Sequence, residues 1–354
     1  MRKTALIVLG VSIALVLGFS IVVFRSGLGS AMSALYFGLG LEPKARFHFQ
    51  VQVQDAVKDE ADLTIGVLYA ELQKARIDEA AIDRNDPSTV EQADSIEINL
   101  RGVPAARLSD LRSLVSARFP VWTLTPASET GYRMNPTAEE LAALKRVAVE
   151  QTLVVIRNRV RALGLVGRAS RGNAAYEIVV ELARSPADPA RVREVLTSRA
   201  RLEITAVMDG PLPGQDQALA RHGGVLPFNS RVVQAAPRSG QEQGWFLLAS
   251  IPVIRGADLR DARPSQDSQT GAWDTDFVLT QDAARRFERF TEANIGNRLA
   301  IVLDGKVLGA PVIQTRISDT GRIAGAANER EASDMALLLR TGSLPAGLVA
   351  REER

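Results

Sequence analysis

Residues 5–24, ALIVLGVSIALVLGFSIVVF, carry no charge, and this run constrains the rest of the chain more than any other feature. Twenty helical residues rise ~30 Å, the thickness of a bilayer's hydrocarbon core. Arg2 and Lys3 precede the run, and positive residues stay on the cytoplasmic side. The expectation is a single-pass transmembrane helix over residues 1–26, with a cytoplasmic N-terminus and the rest of the chain on the far side. A cleaved signal peptide has a shorter apolar core, about 7–15 residues, so an anchor is the preferred reading. The segment SAMSA at 30–34 keeps cleavage open as the alternative.

The remainder reads as folded α+β protein. At 354 residues the chain has room for roughly two or three domains of about 150 residues. The 43 basic and 41 acidic residues nearly cancel, so there is no basic footprint for nucleic acid. With no cysteine, disulfides and thiolate metal sites are excluded.

A repeated order of elements follows the anchor. FHFQVQVQ, 47–54, alternates as a strand with Phe47, Phe49, Val51 and Val53 on one face. Helical patterns at 58–75 and 104–118 and extended segments near 77–83, 95–100 and 121–125 complete a βαββαβ order, a ferredoxin-like unit. The order recurs from YRM at 132–134. A helix opens at Thr137 and Glu140 with a capping box and carries the stripe Val149, Leu153, Ile156, Val160 and Leu163. Strands near 166–171 and 176–182, a helix at 188–198 and a strand at 200–207 finish it. Two tandem ferredoxin-like units are therefore expected. The Gly- and Pro-rich stretch from 208 reads as a loop or insertion boundary. Strands resume at 244–253 and 275–280, and a helix at 281–293 places Ala283, Phe287 and Phe290 on one face.

RLAIVL and KVLGAPVI, within 294–313, flank Asp304-Gly305. Asp-Gly between two apolar runs signals a two-residue hairpin, because a type I′ turn needs positive φ at both central positions. Asp304 and Gly305 are thus expected as structural turn residues, and no partner acid or histidine suggests chemistry there. Pro311 cannot donate to a ladder and marks a sheet edge or strand end. The two histidines, His48 and His222, form no pair by sequence. No zinc-protease, nucleophile-elbow or P-loop pattern is present. Asp258, Asp261 and Asp274 read as loop residues. The arginine-rich run RNRVRALGLVGRASR, 157–171, reads as a solvated basic face, with an anion or lipid-headgroup site as the alternative. The chain is read as a non-enzyme with no cofactor and no metal.

Several stretches resemble the SecD family, accessory subunits of the bacterial Sec translocase. They are QTLVVIRNRVRALGLVGRASRGNAAYEIVVEL at 151–182, ARLEI at 200–204, IRGADLRDARP at 254–264, FTEANIGNRLAIVLDGKVLGAPVI at 290–313, GRIAG at 321–325 and EASDMALLLRTGSLPAGL at 331–348. Members carry an L-G-L-D-L-x-G-G motif after the anchor; here LGLEPKARF, 39–47, replaces it, with Glu42 in place of the Asp.

The resemblance implies a bacterial inner-membrane protein with its soluble part in the periplasm. It implies a first ferredoxin-like subdomain at 27–128, a ferredoxin-like base at 129–207, an inserted head at 208–340 and a C-terminal base segment at 341–354. It implies SecF, the SecYEG translocon and a proton-coupling membrane subunit as partners, and emerging unfolded preproteins as clients. Family members continue into further membrane helices bearing the proton-coupling aspartate. The sequence therefore reads as a piece of a SecD or as a stand-alone anchored relative, since residues 5–24 hold no ionisable group. A clamp for many sequences needs strand edges and shallow apolar grooves. Trp245, Phe246 and Pro311 are the expected polypeptide contacts, with a core role for Trp245 and Phe246 as the alternative. An envelope scaffold without export activity is the second functional reading, and an anchored hydrolase the third.

Overall fold

The computed structural model describes residues 32–351 apart from 34, 78–79, 225, 228 and 238–241. The expected anchor at 5–24 lies outside the described residues. Among those, no helix is long and apolar enough to cross a membrane.

In chain order the elements are β1 (Ala45–Val51), α1 (Val53–Lys74), β2 (Ala81–Arg84), β3 (Ile98–Arg101), α2 (Leu108–Arg118), β4 (Trp122–Pro126) and β5 (Tyr132–Pro136). The long helix α3 (Ala138–Ala162) follows, then β6 (Gly167–Arg171), β7 (Glu177–Leu182) and α4 (Pro189–Thr197). Next come β8 (Leu202–Leu212), α5 (Gln215–Arg221), β9 (Ser230–Gln234), β10 (Trp245–Ala249), β11 (Ile254–Arg255), β12 (Leu259–Gln266) and β13 (Trp273–Leu279). The chain ends with α6 (Gln281–Ala293), β14 (Leu299–Leu303), β15 (Lys306–Gly309), β16 (Thr320–Ala326), α7 (Glu329–Thr341) and β17 (Leu348–Arg351).

The fold is mixed α/β and divides into two units. Among the described residues, one comprises those up to Val51, Leu153–Thr197 and Leu348–Arg351; the other comprises those of Gln52–Thr152 and Ser198–Gly347. The first unit holds the antiparallel sheet β17-β1-β7-β6. Along β1 the side chains alternate: Phe47, Phe49 and Val51 are buried, while Arg46, His48 and Gln50 face outward. On that outer face Glu181 stands opposite both Arg46 and Arg168 in the register. It pairs with them at 3.2 and 2.6 Å. Burial pushes the Glu181 carboxyl up, but the hydrogen bond from Arg168 and the charges of both arginines outweigh it and hold it below its ordinary range.

The second unit holds the other sheets. The order β2-β3-β5-β4 is antiparallel throughout and shares a core with α1 and α2, centred on Leu68, Ile98, Leu111 and Met134. Helix α1 supplies it through Val57, Ala61, Thr64, Leu68 and Leu72, a stripe at three- and four-residue spacing. A larger sheet runs β15-β14-β8-β10-β9 with β11 on β8, and a three-stranded sheet runs β12-β13-β16. Helix α6 seals the core beneath β14 with Ala283 and Phe287.

This topology corrects the tandem reading. The strand at 45–51 does not build the sheet expected for 27–128; it pairs with β7 and β17. The weak strand expected at 132–134 to open the second repeat spans Tyr132–Pro136 and pairs instead with β3 and β4. The sheet β2-β3-β5-β4 therefore takes its central strand from after β4, not from before α1. The strand expected to end at 207 also runs on to Leu212, and a helical turn at 215–221 occupies part of the expected loop.

Candidate polypeptide-binding site

The Asp-Gly turn organises this region. Asp304 and Gly305 have φ of 49° and 76°, the two positive values of a type I′ turn. A Cβ at Gly305 would meet nothing within 4 Å, so the glycine is there for its backbone. Asp304 also has a role its sequence context hid. Its carboxylate accepts from the N–H groups of Ala200 and Arg201, at 3.2 and 2.7 Å. Its own N–H donates to the Arg201 carbonyl at 3.1 Å. The turn thereby ties the hairpin to the segment that leads into β8.

The hairpin places β15 at the end of the large sheet, while β16 is the last strand of the three-stranded sheet. A cavity of about 370 Å³ lies where these two sheet ends approach, lined by β15, β16, Phe246 and Pro311 among others. That volume is at the lower end of ligand pockets, roughly 300–1,000 Å³. Phe246, 1% exposed, Ile301, Val307 and Ile323 give it an apolar lining. Arg298 stands at its side. The guanidinium lies 5.9 Å from the centre of the Phe246 ring, its Nε donates to the Ala310 carbonyl at 2.8 Å, and it pairs with Glu242. Arg322 also lines the cavity. Its Nε donates to Asp276 at 2.8 Å, and this bond, with the Asp276, Asp274 and Asp267 charges, raises its pKa further.

The expected contacts divide. Phe246 and Pro311 line the same cavity; Trp245 does not. Consecutive strand residues face opposite sides of a sheet, so Trp245 and Phe246 cannot serve one pocket together. Trp245 is half-buried on the other face. Pro311 lies just beyond β15, exposed, its carbonyl accepting from Leu299 N–H at 3.1 Å. Strand edges are also scarcer than expected. The chain after β9 returns to β15 through an Ala235–Val307 bridge, and Ala236 N–H donates to the Val307 carbonyl at 2.8 Å. The sequence reading missed Arg298, Glu242, Arg322 and the whole of β16 as lining elements, because they converge from three separate stretches.

The aspartates read as loop residues are ion-paired. Asp258, in a short helical turn, pairs with Arg286 at 2.8 Å. Asp261 lies in β12 and pairs with Arg263. Asp274 is buried in β13, where it accepts from Gly325 N–H and lies 3.5 Å from Arg322. His48 lies 3.0 Å from Glu177, and His222 lies 4.0 Å from Asp209. Among the described residues no group of three or more histidine or acidic side chains is placed to hold a metal ion.

The family description "SecDF, P1 head subdomain" matches residues 230–346, which span the cavity. The chain is 33% identical over 334 residues to the protein translocase subunit SecD of Koribacter versatilis, covering 93% of this chain and 61% of that protein. It is 38% identical over 220 residues to the corresponding subunit of Aquifex aeolicus, covering 62% of this chain and 41% of that protein. A solved structure of SecDF, described as a membrane component that enhances protein export, is 35% identical. The match covers 62% of this chain and 94% of that one with a TM-score of 0.45. The chain thus spans less than two thirds of the length of either full-length relative.

Proposed function

The chain belongs to the SecD family, and we propose that it is an accessory component of Sec-dependent protein export whose head takes hold of emerging unfolded preprotein. Residues 5–24 anchor it in the inner membrane, and the remainder works in the periplasm beside SecYEG, SecF and a proton-coupling membrane segment. The strand order β17-β1-β7-β6, with α3 and α4 as crossovers, is read as a ferredoxin-like base, and β8–β16 with α5–α7 as the head. The sheet β2-β3-β5-β4 is read as the same arrangement started from a different strand.

The observation that carries the proposal is the cavity at the ends of the β15 and β16 sheets. β16 ends its sheet, so an extended client adds main-chain hydrogen bonds along that strand whatever its sequence, and the pocket beside it takes one of the client's apolar side chains. Such a site binds weakly and broadly, as a clamp must. The test is titration of a fluorescent, reduced and unfolded secretory protein against the full chain in nanodiscs, with the folded form as control. The expected Kd is roughly micromolar, about −8 kcal/mol. Equal binding to the folded form, or none up to millimolar concentration, overturns the clamp and leaves an envelope scaffold.

A further inference from the structure

Four large apolar side chains stand exposed within ten positions: Met32, Leu35, Leu39 and Leu41, with Leu39 67% exposed. Scattered apolar residues on a surface need no explanation; a cluster marks an interface. Described residues in this segment are tied to their surroundings. Ser33 accepts from Gly167 N–H at 2.9 Å, the Tyr36 hydroxyl donates to the Glu42 carbonyl at 2.7 Å, and the Arg168 guanidinium stacks 4.5 Å from the Phe37 ring centre.

Beside it lies a cavity of about 400 Å³ whose lining includes Ser33, Arg157, Arg161 and Arg168 and no acidic residue. Arg157 reaches the Ala169 carbonyl through its Nε at 3.0 Å, and Arg168 also pairs with Glu181. All three arginines are exposed. Their fork of donors matches a phosphodiester. Apolar side chains, aromatic rings and arginines in one place are the chemistry of a bilayer's interface, where tails, headgroup carbonyls and phosphates are met in turn. Met32 follows the uncharged run by eight residues, which span at most ~30 Å even when fully extended.

We propose that Met32, Ser33 and residues 35–41, with the arginine-lined cavity beside them, form a membrane-contact surface that takes the phosphodiester headgroups of anionic phospholipids. The proposal rests on the reading of residues 5–24 as an anchor, and goes beyond it by assigning the soluble part its own lipid-binding face.

The chain has no cysteine, so Leu39→Cys gives a single position for an environment-sensitive fluorophore. The full chain is reconstituted into vesicles of phosphatidylethanolamine with phosphatidylglycerol, or of phosphatidylcholine alone, each doped with lipid bearing a nitroxide high on its acyl chain. Flotation reports the anchor separately. In the anionic vesicles the label is expected to be quenched by the nitroxide and shielded from aqueous iodide. In phosphatidylcholine, or with Arg157→Gln, Arg161→Gln and Arg168→Gln combined, the surface contact weakens by about 10-fold or more. Vesicles that float with an unquenched label overturn the proposal alone. Quenching that is equal in both lipids and indifferent to the arginines overturns its headgroup assignment. A chain that fails to float overturns the anchor and the proposal together.

Discussion

Asp304 holds two backbone N–H groups that lie more than a hundred positions away in sequence, and it does so from a turn conformation that few residues tolerate. Asp304→Ala loses both bonds and the left-handed tolerance, and is expected to cost about 1–2 kcal/mol in urea unfolding. Asp304→Asn, which keeps one acceptor and the turn, costs less; equal losses for the two variants would show that the two carboxylate hydrogen bonds contribute nothing. Gly305→Val has room for its side chain but not for its backbone, so about 1–3 kcal/mol is expected. The turn was legible from the Asp-Gly pair alone, whereas the tie to Ala200 and Arg201 was not, because nothing local in 304–305 reports where Ala200 lies. Glu60 is a second residue with a direct consequence. Burial, reinforced by the nearby Glu140 charge, raises its carboxyl pKa. Ionised Glu60 therefore opposes folding at neutral pH. Glu60→Gln is expected to raise the melting temperature at pH 7, with the gain shrinking as pH falls through the ordinary carboxylate range and vanishing below about pH 3, where the carboxyl is protonated in folded and unfolded chains alike. A gain that persists at about pH 3 would contradict this.

Helix α3 illustrates what an element's own pattern can and cannot report. Its apolar stripe was legible, and Val149, Leu153, Ile156 and Val160 are buried as the spacing requires. Arg159, on the same helix, reads as part of a basic run, yet it is fully buried. Its guanidinium donates to the carbonyls of Val195 and Leu196 at 2.8 and 3.1 Å, capping the last turn of α4, where carbonyls have no partner within the helix. Arg159→Leu is expected to cost about 2–4 kcal/mol, with Arg159→Lys between it and the parent, measured by denaturant unfolding. An unchanged midpoint for Arg159→Leu would refute the cap. Helix α6 coincides with the sequence expectation at 281–293, since Thr280 and Asn294 bound a clear period. Strand β1 shows the opposite case. Alternation of Phe47, Phe49 and Val51 identifies a strand with one buried face, but strand pairing is non-local and a period of two names no partner. The count of elements suggested a local repeat, and the sheets exchanged their first strands instead.

At the scale of the whole molecule, the candidate site is assembled from stretches separated by dozens of residues: β10, the β14–β15 hairpin and β16. Phe246 and Pro311 could be picked from sequence for their residue types, but the arginines beside them could not, since an arginine in or next to a strand is ordinarily a solvated one. Acid should test the first unit's outer sheet face. Glu177 is held below its ordinary range first by its hydrogen bond with His48 and then by the Ala174 N–H, and Glu181 is lowered as described. Depressed carboxylates stabilise the fold above their unfolded pKa and lose that contribution as pH falls through the folded value. Stability is therefore expected to drop below about pH 4, and Glu181→Gln should flatten the drop. The same acid profile in the variant would show that the Arg46–Glu181–Arg168 ladder contributes nothing. Entry of unfolded polypeptide into the cavity between the sheet ends, as proposed, can be read with a single introduced thiol because the chain has no cysteine. Pro311→Cys, at the exposed position that also lines the cavity, is fitted with a short photo-cross-linker and exposed to a secretory protein in its unfolded and folded forms. Cross-links to the unfolded form are expected, and they are suppressed when Phe246→Trp enlarges a side chain that lines the cavity. Cross-linking that ignores the folding state of the client, or that is unchanged by the larger side chain, would contradict the proposal.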